Sequence, residues 1–191
     1  MLYPALFLDR DGTINHDTGY IKEPASVTLI NGVATNLKKL KEQFGFKLIV
    51  VSNQAGVSKG LMTIQDVEAV NNRIIELLKN EGVEIDAIYY CPYHPDFDPP
   101  EKTNCRKPSP LMILKAAEEH NIDLSKSFMI GDRGSDIEAG INANVKTILL
   151  RTTLSDEEIS NLINQGKKPN FVANSFDDIY NFITQCLAEE N

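Results

Sequence analysis

The chain has 191 residues, 42% of them apolar and 24% charged, with a formal net charge of −8. That length is near one ordinary domain and can bury a substantial core. The acidic balance excludes an electrostatic grip on nucleic acid or anionic lipid, which needs clustered Lys and Arg.

The first predicted strand is PALFLD, residues 4–9, and it runs straight into Asp11, Gly12 and Thr13. A helical pattern follows over 33–44, with Leu37, Leu40, Lys41 and Phe44 on it and Gly45 as its C-cap. Then come a strand over 46–52, a helix over 63–81 capped by Thr63, and a strand over 87–91. The next helix, 109–121, takes Ser109 as its cap and Pro110 in its first turn. Strands at 127–132, 145–150 and 170–173 alternate with helices at 134–143, 155–165 and 175–188. Ser155 caps the sixth helix, with Asp156–Glu158 as its first turn.

Most of these strands are continuous runs of Val, Ile, Leu or aromatics, the pattern of strands buried on both faces. Strand then helix, repeated, predicts an α/β fold: one Rossmann-like, three-layer domain over 1–191, a parallel sheet and no separate cap domain. Ligands of such sheets bind beyond the carboxyl ends of the strands, where the strand order reverses. Asp9, Ser52 and Asp132 all fall at such ends. Two long loops, 14–30 and 92–108, are expected to shape the pocket.

No apolar stretch approaches the roughly 20 residues of a membrane span, and the start carries no basic n-region. Three cysteines do not make a disulfide framework. The expectation is a cytoplasmic protein acting on a small molecule, without nucleic acid or membrane as partner, and monomeric.

Two carboxylates at a strand end repel unless a cation sits between them. Mg²⁺ suits the place, because it takes oxygen ligands and bridges carboxylate to phosphate. Gly12 lets the backbone turn so that N–H groups can form an anion nest. Ser52, Asn53 and Gln54 close the second strand with a hydroxyl and two amides able to bind phosphoryl oxygens. Arg106 and Lys107 precede a helix start, where a Lys neutralises phosphate as a point charge. Asp132 is placed as a further metal ligand, and Asp136, one turn on, can orient a neighbour or cap the helix. Taken singly, each feature is also an ordinary turn, junction or solvated pair. All four in this order point to phosphoryl transfer.

Asp9-x-Asp11-Gly12-Thr13, Ser52, Lys107 and Gly131-Asp132-x-x-x-Asp136 resemble the four motifs of the haloacid dehalogenase superfamily of phosphatases. FLDRDGTIN, the D-x-G-Y of Asp17–Tyr20, SNQAGV, YYCPYHP, CRKPSP and MIGD resemble, within it, the group of heptose bisphosphate and histidinol-phosphate phosphatases. The resemblance implies that Asp9 is a nucleophile forming an aspartyl-phosphate and Asp11 an acid/base. It implies Mg²⁺ held by Asp9, the Asp11 carbonyl and Asp132, and phosphoryl binding by Ser52 and Lys107. It further implies substrate contacts from Asp17, Thr18, Gly19 and Tyr20, from Ser52 to Ala55 (with Asn53 and Gln54), and from Arg106. A sugar phosphate, a heptose bisphosphate above all, is the implied substrate; histidinol phosphate or another small phosphomonoester is the alternative. A receiver-like phospho-Asp signalling module is a third reading, but it has no need of Asp11.

Members with a zinc loop carry Cys-x-His and then Cys-x-Cys before the Arg-Lys pair. Here Tyr93 stands at the His position with His94 one residue late, and Thr103 replaces a cysteine. Cys91, His94 and Cys105 are the remaining candidate ligands, too few for a four-coordinate site, so zinc is not expected. Cys91 then reads as a strand-end thiol, Cys186 as core, and Tyr93 and Phe97 as packing for the loop. His16 and His120 read as surface residues without partners.

Overall fold

Residues 1–152 and 154–189 are described, in a computed structural model. The strands are β1 Ala5–Leu8, β2 Lys47–Asn53, β3 Ala87–Cys91, β4 Phe128–Gly131, β5 Lys146–Leu150 and β6 Phe171–Ala173. The helices are α1 Val33–Phe44, α2 Ile64–Asn80, α3 Pro100–Thr103, α4 Leu111–His120, α5 Gly134–Asn142, α6 Asp156–Asn164 and α7 Phe176–Glu189. The strands make one six-stranded sheet in the order β3-β2-β1-β4-β5-β6, parallel at every pairing. The α/β architecture expected from the alternating pattern is the one found.

Successive side chains of a strand point to opposite faces, and each strand here is apolar at both. Leu6, Leu8, Leu48, Val50, Phe128 and Ile130 enter one layer, where Leu37 and Leu40 of α1, Ile74 of α2 and Ile179 of α7 cover them. Phe7, Ile49, Val51 and Met129 enter the other, beneath Met112 and Ile113 of α4 and Ala139 of α5. Burying each large apolar side chain stabilises by about 1.5–3 kcal/mol, so this two-sided core fixes the sheet that carries the loops.

The helix limits follow their caps. Gly45 takes a left-handed φ of 71° after α1, while Thr63 and Ser155 each close a capping box. Ser109 does not cap α4. Its N–H is drawn back to the Arg106 carbonyl at 2.9 Å, and Pro110 takes the cap position instead.

The loops depart further from expectation. Cys91 is not a free thiol: it is bonded to Cys105, their Cα atoms 5.6 Å apart. The two are 14 positions apart, and the return of the 92–108 loop to the end of β3 brings them together. Phe97 does not pack the loop on the body but is 59% exposed, whereas Tyr93 does pack against the second core layer. His120 does have a partner, its Nε2 lying 3.1 Å from the Tyr89 hydroxyl. Cys186 is half-buried against the first layer. Among the described residues no helix is long and apolar enough to cross a membrane.

Candidate active site

The strand order reverses between β1 and β4, and the crevice beyond their carboxyl ends collects the acidic residues. Asp9 continues the ladder one residue past β1, its N–H donating to the Ile130 carbonyl at 2.9 Å. The chain then turns at Gly12, whose φ is +85°. A Cβ there would lie 2.2 Å from Oδ2 of Asp132, so only glycine brings this backbone against that carboxylate. Gly131 serves the neighbouring turn in the same way: a Cβ on it would meet the Asp136 Cβ at 2.3 Å.

Lys107 sits among these carboxylates, 3% exposed. Its Nζ lies 2.6 Å from Oδ1 of Asp9 and 2.7 Å from Oδ1 of Asp136, and it donates to the Val51 carbonyl at 2.7 Å. Burial alone would lower the Lys107 ammonium, but Asp136 and Asp9 outweigh it and raise it. Asp136 uses its other oxygen to accept the Arg133 N–H at 3.0 Å, so it both caps α5 and holds Lys107.

Burial pushes the Asp9 carboxyl up to about 6, with Asp136 and Asp11 adding to the rise and Lys107 opposing it. Burial, then the charges of Asp9 and Asp136, push Asp132 up to about 7. Ligand atoms of Asp9, Asp132 and Asp136 all lie within 4.8 Å of one another. Oδ1 of Asp132 is buried with no hydrogen-bond partner. Three clustered carboxylates, one with an oxygen left over, fit a hard divalent cation. Because Asp136 is occupied at both oxygens, Asp9 and Asp132 are the pair best placed to hold it.

Asp11 turns its carboxylate the other way. Arg10 Nη2 lies 2.7 Å from its Oδ2, Gln54 Nε2 2.9 Å from the same oxygen, and Asn15 Nδ2 3.0 Å from Oδ1. Burial would raise this carboxyl, but Arg10, then Asn15 and Gln54, hold it below the ordinary range.

The amides of Asn53 and Gln54, at the end of β2, bond to protein partners. Asn53 Nδ2 donates to the Lys107 carbonyl and its Oδ1 accepts the Lys107 N–H, so it seats Lys107 while its amide keeps a second N–H at the cavity wall. Gln54 also donates to Ser52 Oγ at 2.8 Å, which leaves the Ser52 hydroxyl its own proton to give.

A cavity of about 360 Å³ opens above Asp9 and Asp11. Of the expected residues, Asp17, Gly19, Tyr20, Ser52 to Ala55, Arg106, Lys107 and Asp136 reach its wall. Thr18 is exposed and does not line it, and Asp132 lies buried beneath it. Arg106 is half-buried with Nη1 unpartnered, and burial and the nearby Arg133 lower its pKa. The loop carrying Arg106 is tied down by Asp98, which accepts from the Ser58 hydroxyl and the His94 N–H.

Cys91, His94 and Cys105 do not assemble as a ligand set. The disulfide occupies both sulfurs, and His94 Nδ1 accepts the Asp96 N–H within its own turn.

Sequence reasoning missed Arg133, Lys59 and Ser135, which line the cavity, and Arg10, which braces Asp11 from behind. Arg133 donates to Asp17 at 2.7 Å, and Lys59 to the Tyr20 hydroxyl at 2.9 Å, joining the 14–30 loop to the body. Adjacency was the available signal: Arg10 lies between the two aspartates and Arg133 directly follows Asp132.

The family model described as HAD-hydrolase-like matches residues 104–179, a span that holds Lys107, Asp132 and Asp136. The D-glycero-beta-D-manno-heptose-1,7-bisphosphate 7-phosphatase of Helicobacter pylori is 46% identical over 149 residues, covering 78% of this chain and 83% of its own. The chain belongs to the haloacid dehalogenase superfamily of phosphatases. The D-glycero-D-manno-heptose-1,7-bisphosphate 7-phosphatase of Chlorobaculum tepidum is 40% identical over 188 residues, covering 94% of this chain and 92% of its own. Among solved structures, the D,D-heptose 1,7-bisphosphate phosphatase of B. bronchiseptica, complexed with magnesium and phosphate, is similar over 95% of this chain and 98% of that one. Its TM-score is 0.80 at 25% identity.

Proposed function

We propose that this enzyme removes the 7-phosphate of D-glycero-D-manno-heptose 1,7-bisphosphate through an aspartyl-phosphate on Asp9, with Mg²⁺ as cofactor. It would act as a cytoplasmic monomer supplying precursors of nucleotide-activated heptose for surface polysaccharide. One observation carries the reading: Asp9, paired with Lys107 at 2.6 Å, sits under a cavity whose wall holds three more cations, Arg106, Arg133 and Lys59. One phosphate needs the deep group. A second phosphate on the same substrate gives the outer cations a purpose.

Held by Asp9 and Asp132, with the Asp11 carbonyl, Mg²⁺ would neutralise charge on the phosphoryl oxygens. The protein's groups do the rest. Asp9 attacks phosphorus while the Ser52 hydroxyl and Lys107 hold the equatorial oxygens in line. Asp11 enters the cycle protonated against the pull of Arg10, gives that proton to the leaving sugar oxygen, and as a carboxylate braced by Arg10 then takes one from the water that hydrolyses the acyl-phosphate. The leaving alcohol departs with that proton, and Asp9 is restored as carboxylate when phosphate is released.

The alternative, histidinol phosphate or another phosphomonoester, shares the deep chemistry but not the second phosphate. A panel of both anomers of heptose 1,7-bisphosphate, fructose 1,6-bisphosphate and histidinol phosphate, ranked by kcat/KM, decides between them. A heptose bisphosphate should rank first; histidinol phosphate in that place would overturn the substrate.

A further inference from the structure

We propose that Arg10 is a positioning residue for the acid/base step, holding Asp11 and Gln54 in one braced unit anchored on α2. The proposal rests on Asp11 being the acid/base.

An arginine side chain only 1% exposed must pair its donors, or the cost of burying its charge goes uncompensated. Arg10 does so on all three nitrogens. Nε donates to both oxygens of Asp11 at 3.2 and 3.1 Å, Nη2 to Oδ2 of Asp11 at 2.7 Å and to Gln54 Oε1 at 3.0 Å. Nη1 donates to Oδ1 of Asn71, a buried residue of α2, at 2.9 Å. Its backbone is fixed as well, the carbonyl accepting from the Ile14 N–H at 2.8 Å.

The unit has a direction. With Oε1 facing the guanidinium, the Gln54 amide must aim its N–H groups at Asp11 and Ser52. The reversed amide would set two oxygens against each other at Asp11 and two donors against each other at Arg10. Arg10 therefore fixes where the Asp11 carboxylate rests between its two proton transfers, although nothing places Arg10 on the cavity wall itself. Its role is carried through Asp11.

The test is a double-mutant cycle on the full-length enzyme, with kcat and KM measured on the best substrate of the panel. Arg10→Met should lower kcat by roughly 10²-fold and leave KM within about threefold, as expected when a reacting group is misplaced and ground-state binding is not. In the Asp11→Asn background the same change should cost little, so that the double variant falls short of the product of the two losses by about tenfold or more. A smaller shortfall would show Arg10 to be merely structural and would overturn the proposal. Should Arg10→Met fail to fold, Asn71→Ala enters the same cycle under the same criterion. Wild-type turnover by Asp11→Asn alone would instead overturn the acid/base assignment, and the proposal with it, whereas additive losses with a slow Asp11→Asn overturn the Arg10 proposal only.

Discussion

The side-chain amide of Asn53 and the backbone of Lys107 are joined twice, Lys107 N–H to Oδ1 at 2.9 Å and Nδ2 to the Lys107 carbonyl at 3.0 Å. Two residues 54 positions apart thereby lock the end of β2 to the loop that delivers the ammonium to Asp9. Replacing Asn53 with Ala frees that backbone, and a misplacement near 1 Å can cost roughly 10² in rate. Asn53→Ala should therefore lower kcat/KM by tenfold or more on that scale. Wild-type kinetics would show that Lys107 is seated without it.

Asp136 holds Lys107 together with Asp9. Asp136→Asn keeps an acceptor for the Arg133 N–H but removes one of the two charges facing a buried ammonium. Losing a charged hydrogen bond of this kind costs about 1.5–3 kcal/mol. Denaturant unfolding should show a lower midpoint with an unchanged slope, and an unchanged midpoint would contradict the pairing.

Asp86, ahead of β3, clasps the opposite end of the sheet. Its carboxylate accepts from Lys41 at 2.7 Å, the Leu48 N–H at 2.9 Å and Lys47 at 3.1 Å. Burial would raise this carboxyl, but those bonds outweigh it and hold it below its ordinary 3.8. A depressed folded value means that the contribution is full above the unfolded value and is lost as pH falls through the folded one. Asp86→Asn should therefore be less stable than wild type at neutral pH, and the gap should close below about pH 4. A gap that stays constant under acid would rule out the ionised clasp.

The bond between Cys91 and Cys105 takes in two of the three cysteines and leaves Cys186 outside that disulfide. Thiol counting on denatured protein should give one thiol without reductant and three with it. Three thiols without reductant, together with stoichiometric zinc, would show that the two sulfurs ligate metal instead.

The sheet was readable because most strands are continuous apolar runs, and α2 and α6 because Thr63 and Ser155 cap them locally. Asp9, Asp132 and Ser52 were readable for the same reason, since a strand's end fixes where its last side chain goes. What escaped depends on contacts between distant positions. Arg10 looks like a solvated residue between two acids until Gln54, 44 positions on, and Asn71, 61 positions on, fold around it. Asn53 offers an amide that could meet a phosphate, and only the returning 92–108 loop shows it engaged by a backbone. The disulfide, and the shift of the α4 cap from Ser109 to Pro110, belong to that same returning loop, whose path no periodicity records.

Asp9 is the proposed nucleophile. The direct measurement is rapid-quench mass analysis of the Asp9 peptide during the first turnover of a heptose bisphosphate with Mg²⁺. One phosphoryl group should appear on Asp9 and decay as product forms, and Asp9→Asn should show neither the adduct nor turnover. Product released at wild-type speed by Asp9→Asn, or by wild type with no adduct on Asp9 at any time, would contradict that role.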